Sequence, residues 1–439
     1  MNPSPQIRFP PPPPIPSLYA LGSNGSGQLG LGHDEDVSVP GRCLFEPEPE
    51  SESESESQDP SSSTFQSQAQ RHASVSRIVA GGNHTLLLLS DGRVYAAGED
   101  GDGRCGGGSS NPGGDRAGKR FKRVILTHRP RFLRDSYDGA TKTKTKIGLF
   151  KGVSATWEAS FLVTSDTNGK QNGQGVDGGD KIFVLGSGSK GELGLGFGMI
   201  EAYMQQIPNF PPSGNSLKVV SIASGMSHTV VILSDGRVWG WGASRKGQLG
   251  REHVNDKILW NPKRISVPAG FRATDVVCGR EFTVLSGYPE KGEILIYGSE
   301  PGLGSRNGLG DKWGIHTSLP NPDLIQGYKK THAAWHGIYV HQADSTILSW
   351  GRNDRGQLPP AELNGVRVRD IAVGSEHGLA LLDDGSVVAF GWGEHGNCGR
   401  ETDEKGDVKG PEYKRIEFPE GSRVVGLGAG CATSWIVAR

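Results

Sequence analysis

The chain has 439 residues, with 47 Lys plus Arg against 48 Asp plus Glu, so no global field would draw it to nucleic acid or an acidic membrane. Its 67 glycines follow no Gly-X-Y period, which excludes collagen. Its five cysteines (Cys43, Cys105, Cys278, Cys398, Cys431) form no C-x-x-C pair, which argues against a zinc knuckle or a disulfide framework and fits a reducing compartment.

In chain order, residues 1–16 (MNPSPQIRFPPPPPIP) read as a disordered Pro-rich tail of polyproline II character, without the apolar stretch of a secretory signal. No window approaches the ~18 apolar residues of a membrane helix. A recurring segment then begins with LYALGSNGSGQLGLG at Leu18. It returns as RVYAAGEDGDGRCG (Arg93), KIFVLGSGSKGELGLG (Lys181) and RVWGWGASRKGQLG (Arg237). It continues as EILIYGSEPGLGSRNGLG (Glu293), TILSWGRNDRGQL (Thr346) and SVVAFGWGEHGNCG (Ser386).

A second segment precedes each copy after the first: VAGGNHTLLLLSDG (Val79), VSATWEASFLVTSD (Val153), IASGMSHTVVILSDG (Ile222), VVCGREFTVLSG (Val276), HAAWHGIYVHQAD (His332) and IAVGSEHGLALLDDG (Ile371). A last copy, LGAGCATSWIVAR from Leu427, has nothing after it, and the first segment at Leu18 has nothing before it.

Each pair reads as a hairpin: an apolar run, a Ser-Asp-Gly or Asp-Asp-Gly turn, and a second apolar run. A period of roughly 40 to 50 residues built from short strands predicts propeller blades. The expectation is an all-β, seven-bladed β-propeller over 17–439 as a single domain. The strand left over at the N-terminal side completes the blade begun at the C-terminal side, an N–C clasp that removes the unpaired edges. Loop insertions are expected at about 46–72 (acidic, Ser-rich, disordered), 101–146 (Gly-rich, then basic) and 167–180 (Gly-rich).

The pattern G-x-x-H-[ST] followed by a DG turn and G-Q-L-G resembles the regulator-of-chromosome-condensation repeat, from Leu18 to Arg439. That family forms seven-bladed propellers. Within it, residues 19–36, 391–399 and 430–437 are similar to the fungal alpha-tubulin-suppressor branch, also described as killer-toxin-insensitivity proteins. The resemblance implies a non-enzymatic adaptor without a cofactor or metal of its own, cytoplasmic and nuclear. Its implied partner is a small metal-binding zinc-ribbon protein, held as a heterodimer. The pair would support diphthamide synthesis on elongation factor 2 and, acting indirectly with Elongator, wobble-uridine modification of transfer RNA. The alternative is a guanine-nucleotide exchange factor for a small GTPase, since one fold hosts several functions.

The stretch FGWGEHGNCG at 390–399 holds Glu394, His395 and Cys398, but it occupies the repeat's turn position, and a metal site needs three or four convergent ligands. His84, His228 and His377 recur at one blade position, which points to a structural role. Trp239, Trp241, Trp350, Trp392 and Trp435 lie in strand runs and read as core.

The two residues before the His position are more informative, because they fall once per blade on one face. They are Gly82/Asn83, Trp157/Glu158, Met226/Ser227, Arg280/Glu281, Trp335/His336, Ser375/Glu376 and Cys431/Ala432. Aromatics with Arg nearby mark hot spots. The candidate partner-binding residues are therefore Trp157, Glu158, Arg280, Glu281, Trp335, His336, Glu376 and Cys431.

Overall fold

The computed structural model describes residues 17–47, 73–107, 117–128, 145–164, 179–212, 216–298, 311–411, 413–419 and 421–439. The expectations for 1–16, for 48–72 and for 165–178 lie outside the described residues.

The second strand of each blade shows why the repeat folds as it does. His84–Leu89, Ala159–Thr164, His228–Leu233 and His377–Leu382 are buried along their whole length. Such a continuous apolar run fits a strand covered on both faces by neighbouring sheets. Each pairs antiparallel with an inner strand before it and a third strand after it.

The hairpin between second and third strands is closed by an aspartate. Asp91 accepts from the backbone N–H of Arg93 (3.0 Å), Asp235 from Arg237 (3.0 Å) and Asp384 from Ser386 (2.9 Å). The glycines that follow these aspartates, Gly92, Gly236 and Gly385, have φ of 89°, 82° and 87°, a region that residues with a Cβ avoid.

The G-Q-L-G turn after the third strand is also held by its own side chains. Gln28, Gln248 and Gln357 each accept from the backbone N–H two residues earlier, at 2.9 Å. Asn24 and Asn353 accept from Leu29 and Leu358, both at 3.0 Å. Backbone donors that a tight turn would leave unmade are thereby satisfied.

These units form a seven-bladed propeller. The inner strands Val75–Ala80, Gly152–Ala155, Val219–Ser224, Asp275–Cys278, Lys330–Ala333, Val368–Val373 and Val424–Ala429 pack each against the next in a closed ring. We number the blades one to seven in that order. Blade seven joins Val424–Ala429 and Thr433–Ala438 to Ser17–Gly22 and Val37–Arg42, the expected clasp. Ser17 pairs with Ala438 and Gly22 with Thr433, and fully buried Trp435 packs into the same core as Leu18 and Ala20.

One stretch differs from its reading as a loop insertion. Within 101–146, Ala117–Arg123 is the outermost strand of blade one, paired with Val94–Glu99, and Leu126–His128 pairs with Thr145–Ile147. The basic composition of Ala117–Arg123 concealed a strand whose apolar anchor is one residue, Phe121, fully buried and stacked on Phe45 at 5.3 Å. Residues 108–116 and 129–144 lie outside the described residues.

Candidate partner-binding face

The turns from inner to second strand and from third to outer strand emerge on one face, because strands alternate in direction. In four blades the first of these turns carries an aromatic ring folded back onto a glycine. A Cβ on Gly81, Gly225 or Gly374 would meet the ring of His84, His228 or His377 at 2.2 to 2.4 Å. On Gly279 it would meet Phe282 at 2.1 Å.

The histidine rings bridge to the next blade. Nε2 of His228 lies 3.1 Å from the Thr283 hydroxyl, and Nε2 of His377 lies 2.9 Å from that of Ser434. Thr283 and Ser434 in turn donate to the carbonyls of Gln248 and Asn397, each at 2.8 Å. His84 and Ser160 hold the same two positions in blades one and two, but neither side chain has a hydrogen-bond partner. Burial pushes the histidine pKa values down, to about 3 for His84 and about 4 for His228 and His377, so all three are neutral at pH 7.

Blade seven keeps the glycine, Gly430, but has Thr433 in place of the ring, and blades two and five change both positions. The ring is replaced by Ala159 and Gly337, and the glycine by Thr156 and Ala334, which the missing ring leaves room for. In blade two the Thr156 hydroxyl accepts from the Ala159 N–H at 3.1 Å and closes the turn. Freed of the ring, these turns project Trp157 and Trp335. The two indoles meet with ring centroids 5.9 Å apart and an interplanar angle of 43°, and both are half-buried.

The Arg280 guanidinium stacks over Trp335 at 5.1 Å, and Trp157 lies over Gly82, where a Cβ would come within 2.6 Å of its ring. Backbone bonds tie these turns together: Gly82 N–H to Trp157 O (2.8 Å), Trp157 N–H to Met226 O (3.1 Å), Arg280 N–H to Trp335 O (3.1 Å) and Trp335 N–H to Ser375 O (2.9 Å). Backbone hydrogen bonds to the neighbouring turns therefore fix the positions of both indole-bearing turns.

Beside them sits a charged cluster. Glu376, almost buried, lies 3.3 Å from His336 Nδ1, 3.0 Å from Arg352 and 2.8 Å from the Gln357 amide. Burial pushes its carboxyl up, but the hydrogen bonds from His336 and Gln357 and the charge of Arg352 outweigh it and hold the group below its usual range. Arg352 also stacks on Trp313 at 5.1 Å, as does Lys312 at 4.4 Å.

Sequence reasoning missed Trp313 and Arg352. Arg352 was findable: the residue after the third-strand glycine is Ser23, Ser187 or Ala243 in three blades and Arg352 in blade five. Trp313 lies in DKWG, which matches no repeat position.

Below the indoles the channel opens into a cavity of about 520 Å³. One level of its wall carries Arg77, Gly152, Ser221, Asp275 and Lys330 in blade order, and Asp370 and Gly426 continue that level in an adjoining cavity. Arg77 donates to the Ile222 carbonyl two blades on, at 3.2 Å.

Of the other predicted residues, Glu158 and Glu281 are exposed on the same face, and Cys431 is half-buried. Burial raises the thiol pKa of both Cys431 and Cys398, the opposite of what a nucleophilic cysteine needs. Glu394, His395 and Cys398 do not converge. Glu394 accepts from Trp392 Nε1 at 3.0 Å, His395 Nδ1 lies 2.7 Å from Asp36, and the Cys398 thiol is buried against the Phe390 and Trp392 carbonyls. Among the core readings, Trp241, Trp350 and Trp435 are buried, while Trp239 and Trp392 are half-buried.

A family model described as the RCC1-like domain matches residues 17–436. The chain belongs to the RCC1-like domain family. The similar family members include an RCC1 repeat-containing protein of Schizosaccharomyces pombe, 27% identical over 96% of this chain and 98% of that one. The secretion-regulating guanine nucleotide exchange factor of Mus musculus is 24% identical over 94% of this chain and 82% of its own. Among solved structures, Prp20p of Saccharomyces cerevisiae superposes with a TM-score of 0.64 at 16% identity, over 97% of this chain and 92% of that one. Human WBSCR16 does so with a TM-score of 0.65 at 16% identity, over 97% and 99%. At that identity the two structures speak for the RCC1-like fold alone.

Proposed function

We propose that this RCC1-like propeller is a non-enzymatic adaptor whose Trp157–Trp335 face docks a small metal-binding zinc-ribbon protein. The observation that carries the reading is the paired indoles. Two blades give up the interblade ring and place a half-exposed Trp over the channel mouth instead, with Arg280 stacked beside them. Glu158, Glu281, His336, Glu376 and Cys431 complete the face around these anchors. The zinc ribbon as partner rests on the similarity of residues 19–36, 391–399 and 430–437 to the fungal alpha-tubulin-suppressor branch.

On this reading the partner carries the metal, and the heterodimer supports diphthamide synthesis on elongation factor 2 and, with Elongator, wobble-uridine modification, in cytoplasm and nucleus. The test is co-purification of the tagged propeller with that protein from a fungal lysate. Trp157→Ala and Trp335→Ala should each abolish it while leaving the fold intact. Full retention of the partner by both variants would sink the docking site.

A second reading, nucleotide exchange on a small GTPase, is supported by the similarity to the murine exchange factor over 94% of this chain. Release of labelled GDP from a small GTPase that co-purifies with the propeller, with the zinc-ribbon protein absent, would favour it over the adaptor.

A further inference from the structure

The repeat supplies its own control for the turn at the outer rim. After the shared LGLG, blade seven continues His33, Asp34, Glu35, Asp36, whereas blade two continues Phe197, Gly198, Met199, Ile200. Blade three at the same places has His253, Val254, Asn255 and Asp256, and blade six has Thr402, Asp403, Glu404 and Lys405. Three turns are polar and one is apolar. The apolar one is displayed rather than tucked in: Phe197 is 88% exposed, Ile200 51%, Tyr203 49% and Met199 38%.

Leaving large apolar side chains in water forgoes the free energy of burying them, so such a group marks a surface of interest. The turn is also anchored. Gly196 donates to the Trp260 carbonyl at 2.9 Å, Gly188 donates to the Ile200 carbonyl at 2.9 Å, and Phe197 packs edge-on against Trp260 of blade three at 5.5 Å.

The unpaired charges around this patch are mainly positive. Lys190 precedes the turn, and Lys257, Lys263 and Arg264 flank or lie in the strand Ile258–Ile265 that carries Trp260. All four are exposed, and none ion-pairs with a carboxylate among the described residues. The acids of that region are engaged: Asp256 by His253 at 3.1 Å and Glu252 by the Ser266 N–H at 2.8 Å, which leaves exposed Glu201.

We infer that the rim of blades two and three is a second docking surface, built for a partner segment in which acidic residues surround large apolar anchors. The apolar side chains would cover Phe197, Met199, Ile200 and Tyr203, and the acids would meet the four cations, which set orientation and rate of encounter. The inference does not depend on the zinc-ribbon reading.

Fluorescence anisotropy tests it, using the full chain and a fluorescein-labelled peptide of Asp and Glu around a central Leu and Phe. Control peptides replace the Leu and Phe with Ser, or the acids with Lys. The first peptide should bind and both controls should bind more weakly by about tenfold or more. The double variant F197S/M199S should weaken the first peptide about tenfold, K263E/R264E should weaken it and flatten its salt dependence, and W157A should bind as wild type. Equal binding of the three peptides, no binding of the first, or unaltered binding by F197S/M199S would overturn the inference. So would self-association of the propeller, lost in F197S/M199S, since a second copy would then be the occupant.

Discussion

Blades three and six and blades two and five begin from the same repeat and use one turn for opposite ends. In the first pair the turn holds a neutral, buried histidine hydrogen-bonded into the next blade, and the blade interface gains cohesion. In the second pair the ring is gone, Thr156 or Ala334 fills the space of the glycine, and the turn spends its bulk on an indole at the channel mouth. The difference teaches that a repeat protein can bring large side chains to its channel mouth by relaxing a packing rule at selected blades, because the remaining blades keep the ring closed.

Acid should strike the histidine turns hardest. In the unfolded chain these histidines titrate near 6.5, but burial holds them neutral in the fold down to about pH 3 for His84 and about pH 4 for His228 and His377. Their contribution is therefore complete above pH 6.5 and is lost as pH falls from there towards pH 4, where the unfolded state binds protons that the folded state refuses. Urea midpoints measured across that window should drop steeply, and His228→Gln should remove one proton's share of the slope. An unchanged slope in that variant would contradict the structural role of the ring.

Next in size, His377→Ala should cost about 2–4 kcal/mol of unfolding free energy, because it opens a cavity and removes the interblade hydrogen bond to the Ser434 hydroxyl. Trp157→Ala should cost about 1 kcal/mol or less, since its ring is half-exposed. Equal costs in chemical denaturation would erase the contrast between the two kinds of blade. Gly279→Ala drives a Cβ into the Phe282 ring and should cost about 1–3 kcal/mol by the same measurement. The smallest effect belongs to Arg280→Ala, whose stacking on Trp335 is worth about 0.5–1 kcal/mol and should be read as a two- to fivefold loss in partner affinity by calorimetry.

The fold was legible because its signals repeat. The Asp-Gly hairpins and the G-Q-L-G turns recur at fixed spacing, and the unmatched segments at Leu18 and Leu427 announced the clasp. Ala117–Arg123 was not legible, since its buried Phe121 stands in a run of lysine and arginine that shows little alternation. At the face, Trp157 and Trp335 were visible as departures from the repeat. Their contact was not, because blades two and five meet only across the channel, a distance that no local pattern encodes. Glu376 was named from its position, but its partner Arg352 comes from the other turn of the neighbouring blade, and Trp313 from a loop outside the repeat.

The clasp also sets a timetable for synthesis. Ser17–Gly22 is made early, yet the strand that pairs with it, Thr433–Ala438, is translated more than four hundred residues later. At ribosomal speeds of about 5–20 residues per second, the early strands wait roughly 20–80 s with an open edge. During that wait six blades can stack on one another while the ring stays unsealed. A nonsense codon anywhere before Thr433 would leave a ring that cannot shut, because the strand that pairs with Ser17–Gly22 would be missing.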